Sequence, residues 1–369
     1  MRLLLCTVLS LLLAACAPNP PLAELNSAES APGINWPRLA HFATPQDRGQ
    51  TLLAVAESAD ASRTVAVSHT GLVHIWEEGF RREVDLKPGD RLISASLALD
   101  PNGRFMVIGT KELAGTRHLG RLACFNAQTL QPQWHLHHYA GPLLISRDGA
   151  ELLAVTPESL QVRSLETGEL RRSLPLRSPG AAALSDTVVA IASGSTIRVN
   201  NLETGRPVAR FSCPETAVSL SLTPDGRYLA ASSVWVNPIK HKSLFYILDG
   251  VDRPTSIHVW DLATSRELAR LHTPRAGTPP FDHEVWYKIT ISPDGRRVVA
   301  SSEHTLLIDI ETGSLIAREP SLKHGPLVFL DTSRILAQEW DHSAVIVELP
   351  RSNAPHIPAS GGIPAPPSP

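Results

Sequence analysis

Thr223-Pro224-Asp225-Gly226-Arg227 and Ser292-Pro293-Asp294-Gly295-Arg296 carry one five-residue pattern, followed by Ala230-Ala231-Ser232 and Val299-Ala300-Ser301 respectively. A hydroxyl residue, Pro, Asp and Gly in this order is turn chemistry. Asp bonds its own backbone, Pro fixes φ, and Gly tolerates positive φ. Each turn therefore joins two short strands. Looser copies place the same turn at Asp60, Asn102, Asp148, Asp186, Asp225, Asp294 and Asp331, with spacings of 42, 46, 38, 39, 69 and 37 residues. A second turn recurs as Leu165-Glu166-Thr167-Gly168, Leu202-Glu203-Thr204-Gly205, Leu262-Ala263-Thr264-Ser265 and Ile310-Glu311-Thr312-Gly313. Between the turns lie runs such as Thr64-Val65-Ala66-Val67, Leu152-Leu153-Ala154-Val155 and Arg297-Val298-Val299-Ala300, short and β-branched like strands buried between stacked sheets. No segment offers a long amphipathic helix. A period of roughly 40 residues with several strands per repeat predicts an all-β chain: a seven-bladed β-propeller of four-stranded blades.

The seventh repeat ends at Pro350 without an outer strand. Pro37-Arg38-Leu39-Ala40-His41-Phe42-Ala43-Thr44-Pro45 resembles the outer strand Leu268-Ala269-Arg270-Leu271-His272-Thr273-Pro274. The N-terminal strand is thus expected to complete the last blade and close the ring, which removes an exposed edge.

The layout resembles WD-repeat propellers. The likeness is carried best by Ile257-His258-Val259-Trp260-Asp261-Leu262 and less closely by Val73-His74-Ile75-Trp76-Glu77. Asp309-Ile310-Glu311-Thr312-Gly313 is similar to the Asp-x-x-Thr-Gly turn of quinoprotein-like bacterial propellers, a group that includes an outer-membrane lipoprotein acting as an assembly scaffold. The resemblance covers residues from about 36 to 350 and implies a scaffold that binds proteins on one face of the disc.

Residues 1–15 have the form of a lipoprotein signal peptide. Met1-Arg2 is positive, Leu3 to Leu13 is apolar, and Leu13-Ala14-Ala15-Cys16 resembles the bacterial lipobox. The apolar run is too short for a membrane span of about 20 residues. Cys16 is the expected lipidation site, and Ala17 after it points to the outer membrane, facing the periplasm, if the organism has two membranes. Residues 16–35 read as a flexible tether. Nineteen residues of such coil span about 25 Å. Residues 36–350 form the propeller, and 351–369 a Pro-rich disordered tail.

Composition narrows the partners. Thirty-four basic and 36 acidic side chains give a net charge of −2, without the basic field that nucleic acid requires. Other envelope proteins, and the membrane through its lipid, are the expected partners. Of four cysteines, Cys124 and Cys213 remain after the signal and the lipidated Cys16. Cys124 is expected on an inner strand of the second blade and Cys213 at the end of the fourth, too far apart for a bridge. Serine-hydrolase elbows, His-Glu-x-x-His, Cys-x-x-Cys, phosphate loops and dinucleotide fingerprints are missing from the sequence. No catalytic residue, metal ligand or cofactor is therefore assigned. His135-Leu136-His137-His138 reads as edge-strand polarity.

The extra length points to function. Gly226 to Asp261 spans 35 residues where Gly295 to Asp309 spans 14, and Gly103 to Asn126 spans 23. These insertions join second to third strands, and Pro274 to Glu284 lengthens a blade-to-blade connection, so all three emerge on one face. Long loops in compact domains commonly carry function. Trp235, Phe245, Tyr246 and Ile247 in the large insertion, with Asp282, His283 and Trp286 beyond it, are the candidate partner-binding residues. They form either an exposed contact patch or a local lid. The expected function is a membrane-anchored interaction scaffold. The alternatives are a propeller hydrolase or lyase, or a small-ligand or glycan sensor, using the same face.

Overall fold

The computed structural model describes residues 36–42, 51–58, 62–77, 80–86, 92–114, 117–137, 141–176, 180–234, 255–272, 288–301, 305–312, 314–322, 325–339 and 343–350. Its regular elements are strands. Arg38–Phe42 is β1. Blade 1 is built from β2 (Leu52–Glu57), β3 (Arg63–Ser68), β4 (Leu72–Glu77) and β5 (Phe80–Asp85). Blade 2 follows with β6 (Leu92–Leu99), β7 (Phe105–Ala114), β8 (Arg117–Asn126) and β9 (Pro132–Leu136). In blade 3 the strands are β10 (Leu143–Ile145), β11 (Glu151–Val155), β12 (Ser159–Ser164) and β13 (Leu170–Pro175). Blade 4 has β14 (Ala181–Leu184), β15 (Val188–Ser193), β16 (Thr196–Asn201) and β17 (Pro207–Ser212). Blade 5 has β18 (Thr216–Leu222), β19 (Tyr228–Val234), β20 (Thr255–Asp261) and β21 (Arg266–His272). Blade 6 comprises β22 (Lys288–Ile291), β23 (Arg297–Ser301), β24 (Thr305–Asp309) and β25 (Leu315–Glu319). Blade 7 starts from β26 (Val328–Phe329), β27 (Arg334–Gln338) and β28 (Ala344–Glu348). Its outer strand is β1, in the sheet order β1-β28-β27-β26, as expected from the sequence.

Blades stack through both faces, which explains the unbroken apolar runs. Leu152 and Ala154 of β11 pack against blade 2, while their neighbours Leu153 and Val155 pack against blade 4. Seven apolar clusters fill the seven joints, including the blade 7 to blade 1 joint of Leu336, Ala344 and Ile346 with Leu52, Val55 and Ala66. With period-2 alternation, each strand serves two joints.

The antiparallel order gives the disc two unlike faces. First-to-second and third-to-fourth strand turns share one face. Second-to-third turns and blade-to-blade connections share the other. On the turn face, Gly103, Gly149, Gly226 and Gly295 take positive φ, and neighbouring blades are latched turn to turn. Arg104 donates to Gly149 O at 2.9 Å, Arg147 pairs with Asp186 at 2.6 Å, and Thr187 Oγ1 donates to Asp225 O at 3.3 Å. Near the axis the Ser219 and Ser221 hydroxyls accept from the backbone N–H groups of Ile289 and Ile291, tying blade 5 to blade 6.

Ring closure uses charge as well as pairing. Trp36, fully buried, donates its backbone N–H to Glu319 Oε2 at 2.5 Å. Arg38 bonds Glu319 at 3.2 Å, Glu339 at 2.8 Å and the Trp36 carbonyl at 2.6 Å. Burial raises the Glu319 carboxyl pKa, but bonds from Trp36, Ser321 and Arg38 outweigh it and hold the group below its ordinary value.

As expected, Cys124 lies on an inner strand of blade 2: β8, the third strand, is paired with β7 on one side and β9 on the other. Both Cys124 and Cys213 are buried free thiols, and burial pushes each up to about 12.

Candidate functional site: the loop-bearing face

Blade 2 raises a hairpin on the loop-bearing face. Strands β7 and β8 run ten residues each, paired from Phe105–Asn126 to Ala114–Arg117, whereas the second and third strands of the other blades run five to seven. At about 3.3 Å per residue, the hairpin stands roughly 10 Å taller. The insertion expected from sequence is thus a continuous β-ribbon. Leu119 near its tip is 46% exposed, and Glu112, its buried partner in register, lies 3.8 Å from Arg121.

Across the same face, β19 ends and β20 begins beside a polar cluster. Ser233 Oγ donates to Glu215 Oε2 at 2.8 Å and lies 3.4 Å from His258 Nε2, while His258 Nδ1 donates to Glu267 Oε1 at 2.8 Å. Arg270 bonds both Glu267 oxygens at 3.0 and 2.6 Å. Burial raises the Glu267 pKa, yet the bonds from His258 and Arg270 prevail and keep it below the usual carboxylate range. His258 stacks on Trp260, and Trp260 stacks on Phe211 from the outer strand of blade 4, with centroids 5.4 and 4.9 Å apart.

Ser233, His258 and Glu267 follow the order of a hydroxyl–imidazole–carboxylate relay. A nucleophile needs its proton directed at the imidazole and its oxygen open to substrate. Here the hydroxyl proton points to Glu215, and Ser233 and His258 are fully enclosed. Blade 1 repeats the unit. His74 Nδ1 lies 3.1 Å from Glu83, and Trp76 meets Phe42 from the outer strand of blade 7 at 5.2 Å. The recurrence makes the unit a strut. An aromatic of the preceding outer strand packs on Trp, and the His of a His–Glu pair packs beside the same Trp ring from its own strand. Sequence reading missed this role, although His-x-Trp occurs twice and each copy is followed by Glu on the next strand.

The sequence-assigned residues Trp235, Phe245, Tyr246, Ile247, Asp282, His283 and Trp286 lie outside the described residues, as does Cys16. The described strands nonetheless fix where these segments depart. Val234 and Thr255 face each other at the loop-bearing end of blade 5, in register. His135 and His137 meet edge to face at 5.5 Å, and no group of three metal-ligating side chains occurs among the described residues. On the turn face, Arg63, Glu77, Phe80, Arg82 and Gln128 line a shallow cavity of about 490 Å³. Its cations are already matched, since Glu77 accepts from Arg63 at 2.6 Å and from Arg82 at 2.5 Å.

Trp36 and Pro350 mark the two ends of the ring. Because β1 starts opposite the end of β28, with Arg38 beside Val347, both ends lie on the turn face, opposite the hairpin. No protein-family model matches the chain, and no curated protein matches its sequence.

Proposed function

We propose that the chain is an envelope lipoprotein, tethered through Cys16, whose propeller scaffolds other envelope proteins with its loop-bearing face. It would work in the manner of the WD-repeat-like and quinoprotein-like propellers it resembles. One observation carries this reading: the ring's ends and its raised hairpin occupy opposite faces. A tether that enters at the turn face leaves the hairpin and the mouths of the longest connections pointing away from the bilayer. The turn face is latched blade to blade and short in its loops, which suits a rigid base. An exposed apolar side chain on a rigid ribbon, such as Leu119, is an efficient contact, because little conformational entropy is lost when it is covered.

The test is affinity capture of the lipidated protein from gently solubilised membranes, beside a variant in which Asn-Gly replaces residues 113–118 and Leu119 is changed to Ser. Glu112 and Leu119 are paired in register, so a two-residue turn closes the shortened hairpin. The expected result is an unchanged melting temperature and loss of a stoichiometric partner. If the partner persists on the shortened protein, the hairpin is not the contact. If the unaltered protein captures nothing, the scaffold reading fails.

A further inference from the structure

The rim of the disc carries many arginines, and most are matched by acids. Arg82 pairs with Glu77, Arg270 with Glu267, and Arg38 with Glu319 and Glu339. The groove between blades 3 and 4 is different. Arg198 on β16 and Arg210 on β17 are directly opposite in register, and both are exposed. Arg198 is also opposite Ile191, which packs against blade 3, so this pair faces the groove. From the other wall comes Arg172 of β13. It pairs with Val162, whose side chain faces blade 4, and it reaches across to donate to the Glu203 carbonyl at 2.6 Å.

Like charges directly opposite on neighbouring strands repel. Among the described residues neither Arg198 nor Arg210 has a hydrogen-bond or ion-pair partner. The acids nearby do not relieve them: Glu151 on the blade 3 wall is engaged by Arg171 at 3.0 Å, and Glu158 and Glu203, at the two ends of the groove, form no ion pair with the three arginines. Two guanidinium forks on adjacent strands, their Cα atoms about 5 Å apart, can bracket one tetrahedral dianion, with Arg172 closing from the facing blade. Guanidinium suits this task because its fixed donors fit phosphate oxygens bidentately.

We propose that the rim groove between blades 3 and 4 is a binding site for a phosphate-type anion, held by Arg172, Arg198 and Arg210. The chemistry is shared by soluble phosphate esters and by anionic lipid headgroups. The inference does not depend on the scaffold reading, since the groove lies on the rim and neither of its walls includes the hairpin.

Arginine Nε–Hε resonances of the full chain in neutral-detergent micelles read the site directly. The titrants are sodium pyrophosphate, and separately phosphatidylglycerol against phosphatidylcholine added to the micelles. Saturable shifts of the Arg198 and Arg210 signals are expected. In the double variant Arg198→Gln, Arg210→Gln the Kd read at Arg172 should rise at least tenfold, whereas Arg82→Gln should leave it unchanged. A response to pyrophosphate but not to phosphatidylglycerol identifies a soluble phosphate; the converse identifies a headgroup. No saturable shift with either, or an unchanged Kd in the double variant, overturns the site. Melting provides a separate check. Removing one of two facing like charges should hold or raise the melting temperature of Arg198→Gln, and a fall of several degrees would make these arginines structural and also overturn the proposal.

Discussion

Gly226 and Gly295 stand at equivalent places in two copies of one turn, and the second shows what the motif's glycine is for. Gly295 has φ +70°, and a Cβ there would overlap the Tyr228 ring of the preceding blade, which Arg227 covers at 4.8 Å. Gly103 has φ +68° with open space around it. An alanine at either position carries roughly 1–2 kcal/mol of left-handed strain. At Gly295 overpacking adds about 1–3 kcal/mol. Urea unfolding should therefore find Gly295→Ala less stable than Gly103→Ala by about 1–3 kcal/mol. Equal losses would mean that Tyr228 moves aside freely and that the turn is not an interblade latch. Turn identity was fully legible in the sequence, because Asp-Gly acts within a few residues. What the glycine meets was not, since Tyr228 precedes it by 67 positions.

At the scale of elements, the short strand β1 decides whether the last blade exists. Its pairing was legible from the likeness of residues 37–45 to the outer strand of blade 5. Its electrostatic fastening to Glu319, 281 residues from Arg38, left no local trace. Similarly, the facing arginines 198 and 210 become a pair only once register is known. The fastening has a pH signature. Glu319 titrates lower in the folded chain than in the unfolded one. Its contribution is therefore complete above the unfolded carboxyl pKa of about 4.3 and is lost as pH falls through the folded value. Glu319→Gln keeps the shape but gives up the charge, at a cost of about 1–3 kcal/mol near neutrality. Stability measured from pH 7 down to pH 3 should fall less steeply in the variant than in the parent. Parallel curves would remove Glu319 from the closure.

For the whole molecule, the two unlike faces turn a tether into an orientation. The proposed lipid at Cys16 holds the chain near a bilayer, and the ring is entered at Trp36 on the turn face. That face should lie nearer the membrane than the blade 2 hairpin. Single-cysteine labelling can measure this, because Cys124 and Cys213 are buried with thiols pushed up to about 12 and stay unreactive at neutral pH. Leu119→Cys reports the hairpin, and Glu166→Cys, on an exposed third-to-fourth strand turn, reports the turn face. Ten-residue strands separate the faces by about 30 Å, comparable with the reach of a 19-residue coil of about 25 Å. A proposed tether of that length would therefore permit tilt without freely exchanging the faces. In vesicles, a headgroup-attached quencher should dim a fluorophore at position 166 at least twofold more than one at position 119. The Cys16→Ser chain should leave the membrane fraction and lose the difference altogether. Equal quenching at both positions in the lipidated protein would mean that the disc tumbles on its tether, and stronger quenching at 119 would turn the loop-bearing face toward the bilayer and make the membrane itself its partner.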